Sequence, residues 1–170
     1  MNDITTRELE PRDAVLLREM LYLALWHLPE DRPLPRSVLE ETTLWQYVEE
    51  WGRRPGDFGL VAEDPVTGEE VGAVWLRKLI WPGGYGYVDN RTPELSIAVV
   101  PQRRSRGIGT QLLEKAIRAV RSRYQAISLS VSPRNPALRL YERLGFVRVG
   151  SRGLSLVMRL PLDSTQDGAD

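Results

Sequence analysis

The run ELSIAVV, Glu94 to Val100, ends in PQRRSRGIG and passes directly into TQLLEKAIRAV. An apolar, partly β-branched stretch, an arginine-rich turn and an amphipathic helix in immediate succession place this part of the chain in an α/β layer. Such a turn is also an anion site for a definable reason. The first helical N–H groups have no partner inside the helix, and the dipole leaves about half a positive charge there. Gly107 and Gly109 carry no Cβ, so a phosphate can approach the main chain. Arg103, Arg104 and Arg106 add full charges around it. Two familiar phosphate loops do not match: no lysine supplies a P-loop, and Leu112 stands where a dinucleotide fingerprint needs its third glycine.

The remaining segments alternate strand and helix signals without a repeat or linker. ITTRELEP reads as a first strand, and RDAVLLREMLYLALW as a helix after Pro11. Prolines break HLPEDRPLPRS, and Ser37, with Glu40 three residues on, predicts a capping box for a second helix reaching Gly52. FGLVAED and VGAVWLRKLI around PVTGEE form a hairpin, and WPGGYGYVDNRTP is a loop whose glycines let its aromatics swing. After the helix from Gly107 to about Arg123 come the strand AISLSV, the helix PALRLYERLG and a closing strand pair, FVRVG and SLVMRL. The order β, α, α, β, β, β, α, β, α, β, β implies a mixed sheet with helices on both faces. One domain over residues 1–162 accounts for it, and the polar tail 163–170 is expected to be frayed.

Composition narrows the partners. With 23 basic and 23 acidic residues the chain lacks the basic excess of a nucleic-acid binder. No apolar run approaches the ~20 residues of a membrane span. The polar N-terminus MNDITTRELEP has no secretory-signal build, and with no cysteine a cytoplasmic location is expected. His27 is the sole histidine, so no histidine-based metal site is expected.

Two motifs together carry a resemblance. Arg104-Ser105-Arg106-Gly107-Ile108-Gly109 reads R-x-x-G-x-G, and SVSPRNPALRLYERLGFVRVG, Ser130 to Gly150, contains a strand, an N-P-A turn and L-Y-x-x-x-G-F. This pair resembles the GNAT superfamily of acyl-CoA-dependent N-acyltransferases, specifically over residues 94–150 and only in topology before that. The resemblance implies an α/β (α+β) fold, a mostly antiparallel sheet of about seven strands with a V-shaped splay between the fourth and fifth. It implies acetyl-CoA as cosubstrate, no metal, and a primary amine on a small molecule or protein N-terminus as acceptor. The reaction would be direct attack in a ternary complex. Family members are often homodimers, and the apolar C-terminal strand pair could contribute. The rival reading is a non-catalytic acyl-CoA-binding sensor.

Acetyl transfer to an amine poses three problems, and the resemblance offers a group for each. The amine, with a pKa near ~10.4, must lose a proton. Glu94 stands where the family often keeps a carboxylate that takes it, commonly through water; the alternative is a solvated strand end or an arginine's partner. Charge on the carbonyl oxygen calls for a donor near Val99. Main-chain groups of Ala98 and Val99 would also bond the pantetheine arm, unless both simply pair with the next strand. The leaving thiolate calls for a proton donor, the role implied for Tyr141, which could otherwise be a core tyrosine. The amides of Gly107, Ile108 and Gly109 would wrap the pyrophosphate, with Arg104 and Arg106 flanking it. Thr110 would offer a hydroxyl to phosphate or to its own helix. Asn135 would reach the pantetheine or cap the helix ahead of Pro136. Trp26, Tyr47, Trp51, Trp75, Trp81, Tyr85 and Tyr87, with Glu30, Asp31, Glu49 and Glu50 nearby, suggest either a pocket for a cationic, partly apolar amine or scattered core and surface aromatics.

Overall fold

The computed structural model describes residues 4–25 and 32–162. Its strands are β1 (Thr5–Glu8), β2 (Phe58–Glu63), β3 (Glu70–Arg77), β4 (Glu94–Val99), β5 (Ala126–Val131), β6 (Val147–Arg152) and β7 (Ser155–Pro161). The helices are α1 (Ala14–Ala24), α2 (Thr42–Trp45), α3 (Ile108–Val120) and α4 (Leu138–Arg143). Element order therefore agrees with the sequence reading, and the tail from residue 163 lies outside the described residues. The strands form one seven-stranded sheet ordered β1-β2-β3-β4-β5-β7-β6, antiparallel except where β4 meets β5.

That parallel junction is where the fold opens. β4 pairs with β3 over six residues, and β5 with β7 over six, yet β4 and β5 share the single register pair Glu94–Ser128. Ser128 N–H donates to the Pro93 carbonyl at 3.0 Å, and beyond this point the strands part. The V-shaped splay expected from the resemblance is present.

Side-chain alternation along the central strands divides the core in two. Val74, Leu76, Leu95, Ile127 and Leu129 pack with α3, whose buried positions Ile108, Leu112, Leu113, Ala116, Ile117 and Val120 trace one helical stripe. Ala73, Trp75 and Ala98 face the other way, against Leu17, Met20 and Leu21 of α1 and against Tyr47, Val48 and Trp51. Burying each such side chain stabilises the fold by roughly 1.5–3 kcal/mol before entropy is counted. Among the described residues, no helix is long and apolar enough to cross a membrane.

The expected helix from Ser37 to Gly52 does not form. A 3₁₀ turn, Arg36–Glu40, follows Pro35 without a side-chain cap, and Glu41 is extended (φ −65°, ψ 128°) before the one-turn α2. Beyond α2 the helix does not resume, and tertiary bonding competes with it there. Carbonyls that a continuous helix would use internally are taken by side chains from β3. Trp75 Nε1 donates to Tyr47 O at 3.2 Å, while Arg77 Nη1 donates to Gln46 O and Glu49 O at 3.0 and 2.6 Å. Arg77 is buried to 1% exposure and forms a two-pronged pair with Asp57, 2.9 Å from Nε to Oδ1 and 2.7 Å from Nη2 to Oδ2. The guanidinium also lies 5.2 Å from the centre of the Trp51 ring. A buried arginine thus fixes the segment that carries Tyr47.

Removing its partner should be expensive. Asp57→Ala would leave the Arg77 charge buried and unpaired, and a loss of about 3–5 kcal/mol is expected in urea unfolding. A loss below about 1 kcal/mol would show that the pair is not what holds this segment.

Candidate active site

The parted strands, the start of α3, the turn before α4 and the inner ends of α1 and α2 enclose one cleft of about 880 Å³. Glu94, Ala98, Val99, Arg104, Gly107, Ile108, Gly109, Thr110, Asn135 and Tyr141 all line it. Arg106, in the same turn, is exposed and is not among the lining residues.

At the mouth, Gly107 occupies the N-cap of α3 in the left-handed region (φ 80°), and no side chain caps the helix. A residue with a Cβ would be strained there. Gly107 O accepts from Gln111 N at 3.0 Å, so the amides of Ile108, Gly109 and Thr110 are the helix's orphan donors. A Cβ at Gly109 would meet nothing nearer than 3.9 Å, which leaves the space above these amides open. The arginines are less free than the sequence suggests. Arg103, one of the charges expected around the phosphate, pairs with Asp64 at 2.7 Å, and the Val66 and Thr67 amides together with this pair hold the Asp64 carboxyl below its usual range. Arg104 folds back, its Nε donating to Val99 O at 3.0 Å.

Along β4 the two predicted main-chain sites separate. Val100 N donates to Val71 O on β3, and Pro93 O accepts from Ser128 N on β5. Alternation then turns the Ala98 main chain into the β3 ladder and leaves the Val99 amide on the side of the splay. The expectation of free groups at both residues is corrected for Ala98, which pairs with Ala73 of β3 while still lining the cleft. Asn135 is likewise engaged, its Oδ1 accepting from Ala137 N at 2.9 Å, the turn-capping alternative.

At the apex, Glu94 is 2% exposed, with both carboxylate oxygens hydrogen-bonded. Oε1 accepts from the Tyr47 hydroxyl and from Gly86 N, both at 2.8 Å, and Oε2 accepts from Gly84 N at 2.9 Å. The solvated strand-end alternative is excluded. Desolvation pushes its pKa above the ordinary carboxylate range against the opposing effect of those three donors and of the Arg152 charge. The Tyr47 hydroxyl accepts in turn from Tyr85 N at 2.7 Å; burial and the Glu94 charge push its own pKa up.

The loop between β3 and β4 closes over this apex. Ser128 Oγ donates to Gly86 O at 2.7 Å, and Arg152 donates to the carbonyls of Gly84 and Pro82. A Cβ at Gly84 would lie 2.6 Å from Glu94 Oε1, and one at Gly86 would lie 2.7 Å from the Leu129 main chain. Those glycines therefore serve close approach rather than freedom for the neighbouring aromatics. Arg152, Ser128 and the hydroxyl of Tyr47 were not expected as site elements. The spaced glycines shortly before a strand-initial acid were the available signal for the carboxylate's partners; nothing local marked Arg152.

Tyr141 presents its hydroxyl from α4. The residue is 8% exposed and packs edge-to-face with Phe146, ring centres 5.8 Å apart. Its hydroxyl makes no hydrogen bond to a described residue, and no sealed side-chain oxygen lacks a partner, so the hydroxyl tip opens into the cleft. Burial pushes its pKa up to about 12.

The expected aromatic, acid-flanked acceptor pocket can be followed only through its described members. Trp51 and Trp75 are core, Trp81 and Tyr87 pack on each other at the surface, and among the described residues Tyr47 and Tyr85 of the set line the cleft. Glu49 and Glu50 pair outward with Arg54 and Arg53. Trp26, His27, Glu30 and Asp31 lie outside the described residues. Among those residues no group of three or more His, Asp or Glu could hold a metal ion.

Comparison with known proteins returns a consistent family. The model of the acetyltransferase (GNAT) family matches residues 21–146. The protein yncA of Salmonella typhimurium, solved with its cofactor acetyl-CoA, is 25% identical over 98% of each chain, with a TM-score of 0.66. An acetyltransferase of the same family from Streptococcus pneumoniae is 21% identical over 95% of this chain and 100% of its own, TM-score 0.65. The spermidine/spermine N-acetyltransferase SpeG of Vibrio cholerae, solved in mutant forms, is 21% identical over 94% of this chain and 95% of its own, TM-score 0.61. No curated protein matches the sequence significantly.

The raised Glu94 carboxyl has a measurable consequence. The folded protein holds this proton more tightly than the unfolded chain, so the stabilisation is complete below about pH 4.5 and is lost as pH rises through the folded value. Urea unfolding between about pH 4 and 7 should show this downward component in the native protein and not in Glu94→Gln. Equal slopes in the two proteins would rule out the raised carboxyl.

Proposed function

Because the chain belongs to the GNAT acetyltransferase family, we propose that it transfers the acetyl group of acetyl-CoA to a primary amine, both substrates being bound together. One observation carries this reading: an uncapped helix start with open amides lies at one end of the same cleft whose walls hold a buried carboxylate and a tyrosine hydroxyl without a described partner. The orphan amides of Ile108, Gly109 and Thr110 suit a pyrophosphate. The Val99 amide, facing the splay, suits the extended arm and the thioester carbonyl, where a preorganised donor is worth most. Acetyl-CoA supplies the activated acyl group.

The chain's own groups then have separable tasks. Glu94 is the base. Its Oε2 accepts a single protein hydrogen bond, which leaves room for a water to relay the amine's proton. The upward displacement of its pKa moves it toward neutrality, where a base is most effective. Tyr141 keeps its proton across neutral pH and serves as donor to the departing sulfur. Arg104 and Arg106 contribute charge at the mouth, Thr110 a hydroxyl, and Asn135 its free amide nitrogen. With no cysteine in the chain, an acyl-thioenzyme is unavailable, in keeping with direct transfer. A cytoplasmic protein acting as a homodimer completes the reading.

Thiol release from acetyl-CoA in the presence of an amine panel tests it. Tyr141→Phe is expected to lower kcat about 100-fold with little change in affinity for acetyl-CoA, and Glu94→Gln to lower it comparably and abolish the acidic limb of the pH profile. Turnover untouched by both changes would falsify the assignment, and binding of acetyl-CoA without turnover would favour a sensor. Gly109→Ala, which the fold accommodates, should weaken acetyl-CoA binding by placing a methyl over the amides.

A further inference from the structure

Arg152, the last residue of β6, reaches a loop 68 residues earlier in the chain. Its guanidinium donates to Gly84 O and, at 3.2 Å, to Pro82 O. The first of these carbonyls belongs to the peptide unit that joins Gly84 to Tyr85. The N–H of that unit donates to the Tyr47 hydroxyl oxygen at 2.7 Å, and the hydroxyl donates to Glu94 Oε1 at 2.8 Å. With its oxygen facing the Tyr85 N–H, the phenol has one proton to give and a carboxylate to receive it, so its direction is fixed. A cation, a peptide, a phenol and the apex carboxylate thus stand in one hydrogen-bonded series. The series has no slack, since a Cβ at Gly84 would lie 2.1 Å from the Tyr47 oxygen.

From this series we infer that Arg152 is a positioning residue for the transfer: through the Gly84–Tyr85 peptide and the Tyr47 hydroxyl it fixes the Glu94 carboxylate in the orientation that receives the amine's proton. The inference rests on the acetyl-transfer reading. Hydrogen bonds in series polarise one another, and a bond that begins at a cation is stronger than a neutral one. Pull on the Gly84 carbonyl makes the Tyr85 N–H a better donor, and the hydroxyl that it engages becomes a better donor in turn. The same charge acts through space, opposing the upward displacement that burial imposes on Glu94. The other groups around the carboxylate do not duplicate it. Tyr47 stands on the α2 side, Arg77 at the register position of Glu94 on β3, and Ser128 at its register position on β5. Arg77 is matched by Asp57, and Ser128 is neutral and donates to Gly86 O. On the loop itself Asp89 accepts from the Arg91 and Thr92 amides and Tyr87 donates to Asn90, while Tyr141 lines the cleft from α4. Among the described residues, Arg152 is the cation whose charge reaches the base.

Arg152→Met removes the charge and both bonds while keeping an unbranched stem. Full-length protein is assayed with acetyl-CoA and whichever of hexylamine, phenethylamine and spermidine it turns over best. In the variant kcat is expected to fall about ten-fold with KM for acetyl-CoA unchanged, and the acidic limb of the pH profile to move upward by roughly half a pH unit. Arg152→Lys, which keeps the charge, should recover most of the rate and return the limb toward its native position. Tyr47→Phe breaks the series at its middle, so adding Arg152→Met to it should lower kcat by a clearly smaller factor than in the native protein. Carbon-13 NMR of the side-chain carboxyls, with the Glu94 signal identified by its loss in Glu94→Gln, follows the titration without turnover and should show the same upward displacement in Arg152→Met. Urea unfolding checks that each variant is folded, and Arg152→Gln repeats the comparison if the methionine variant is not. Lost stability or amine affinity with the pH profile and the Glu94 titration both unmoved would make Arg152 a mere prop for the loop and overturn the inference, as would strictly additive effects of the two substitutions. A displaced Glu94 titration in a protein that acetylates no amine supports the link between Arg152 and the carboxylate and counts against the transfer reading.

Discussion

The carboxylate of Glu94 is the point on which the arrangement hangs. It marks the last register pair between β4 and β5, and it draws the loop before β4 inward through two glycine amides. Burying an ionisable group at the apex of a splayed sheet is costly, and three charge-assisted hydrogen bonds offset much of that cost. What they leave is a carboxyl with its pKa still pushed up. The same network closes the apex, since Ser128 and Arg152 hold the loop from the β5 and β6 side while Tyr47 holds it from the α2 side. The cleft is therefore rigid at the carboxylate and open where α3 begins.

The arginines show how a charge count can mislead. Arg77 and Arg152 hold main-chain carbonyls and organise the acceptor side, and Arg103 is drawn to the β2–β3 hairpin by Asp64. Arg104 is spent in part on Val99. Anion binding at the mouth consequently falls more on main-chain amides and the helix dipole than on guanidinium groups. Amides fixed in a helix lose no side-chain entropy when a ligand arrives, whereas Arg103 would have to give up a partner.

Much of this was legible in the chain, for reasons that differ by segment. The stretch from Glu94 to Val120 carried a period-2 run, a glycine turn and a period-3.6 stripe, all local signals, and it folds as read. Gly107 was identified for its missing Cβ, and its φ of 80° adds a second reason. Residues 37–52 were misread because capping and periodicity are local whereas the competing donors, Trp75 and Arg77, come from a distant strand. The same blindness hid Arg152, which lies far along the sequence from the loop that it clamps. Gly84 and Gly86 were noticed and given the wrong purpose, because a glycine required for approach looks the same in sequence as one required for freedom.

The tyrosine proposed as donor raises a last point of chemistry. With its pKa near 12, against roughly 8.5 for an ordinary thiol, full transfer of the proton to a thiolate is uphill by on the order of 5 kcal/mol in the empty site. A hydrogen bond to developing negative charge on sulfur needs no such transfer. It strengthens as the carbon–sulfur bond breaks, and it is aimed from a wall whose geometry is set by Phe146 and by α4. The burial that makes Tyr141 a poor acid thus makes it a dependable donor, protonated at every pH where the amine can react. The proton that finally reaches the thiolate can come from the solvent at the open mouth, so the apex carboxylate and the mouth of the cleft need exchange no proton directly.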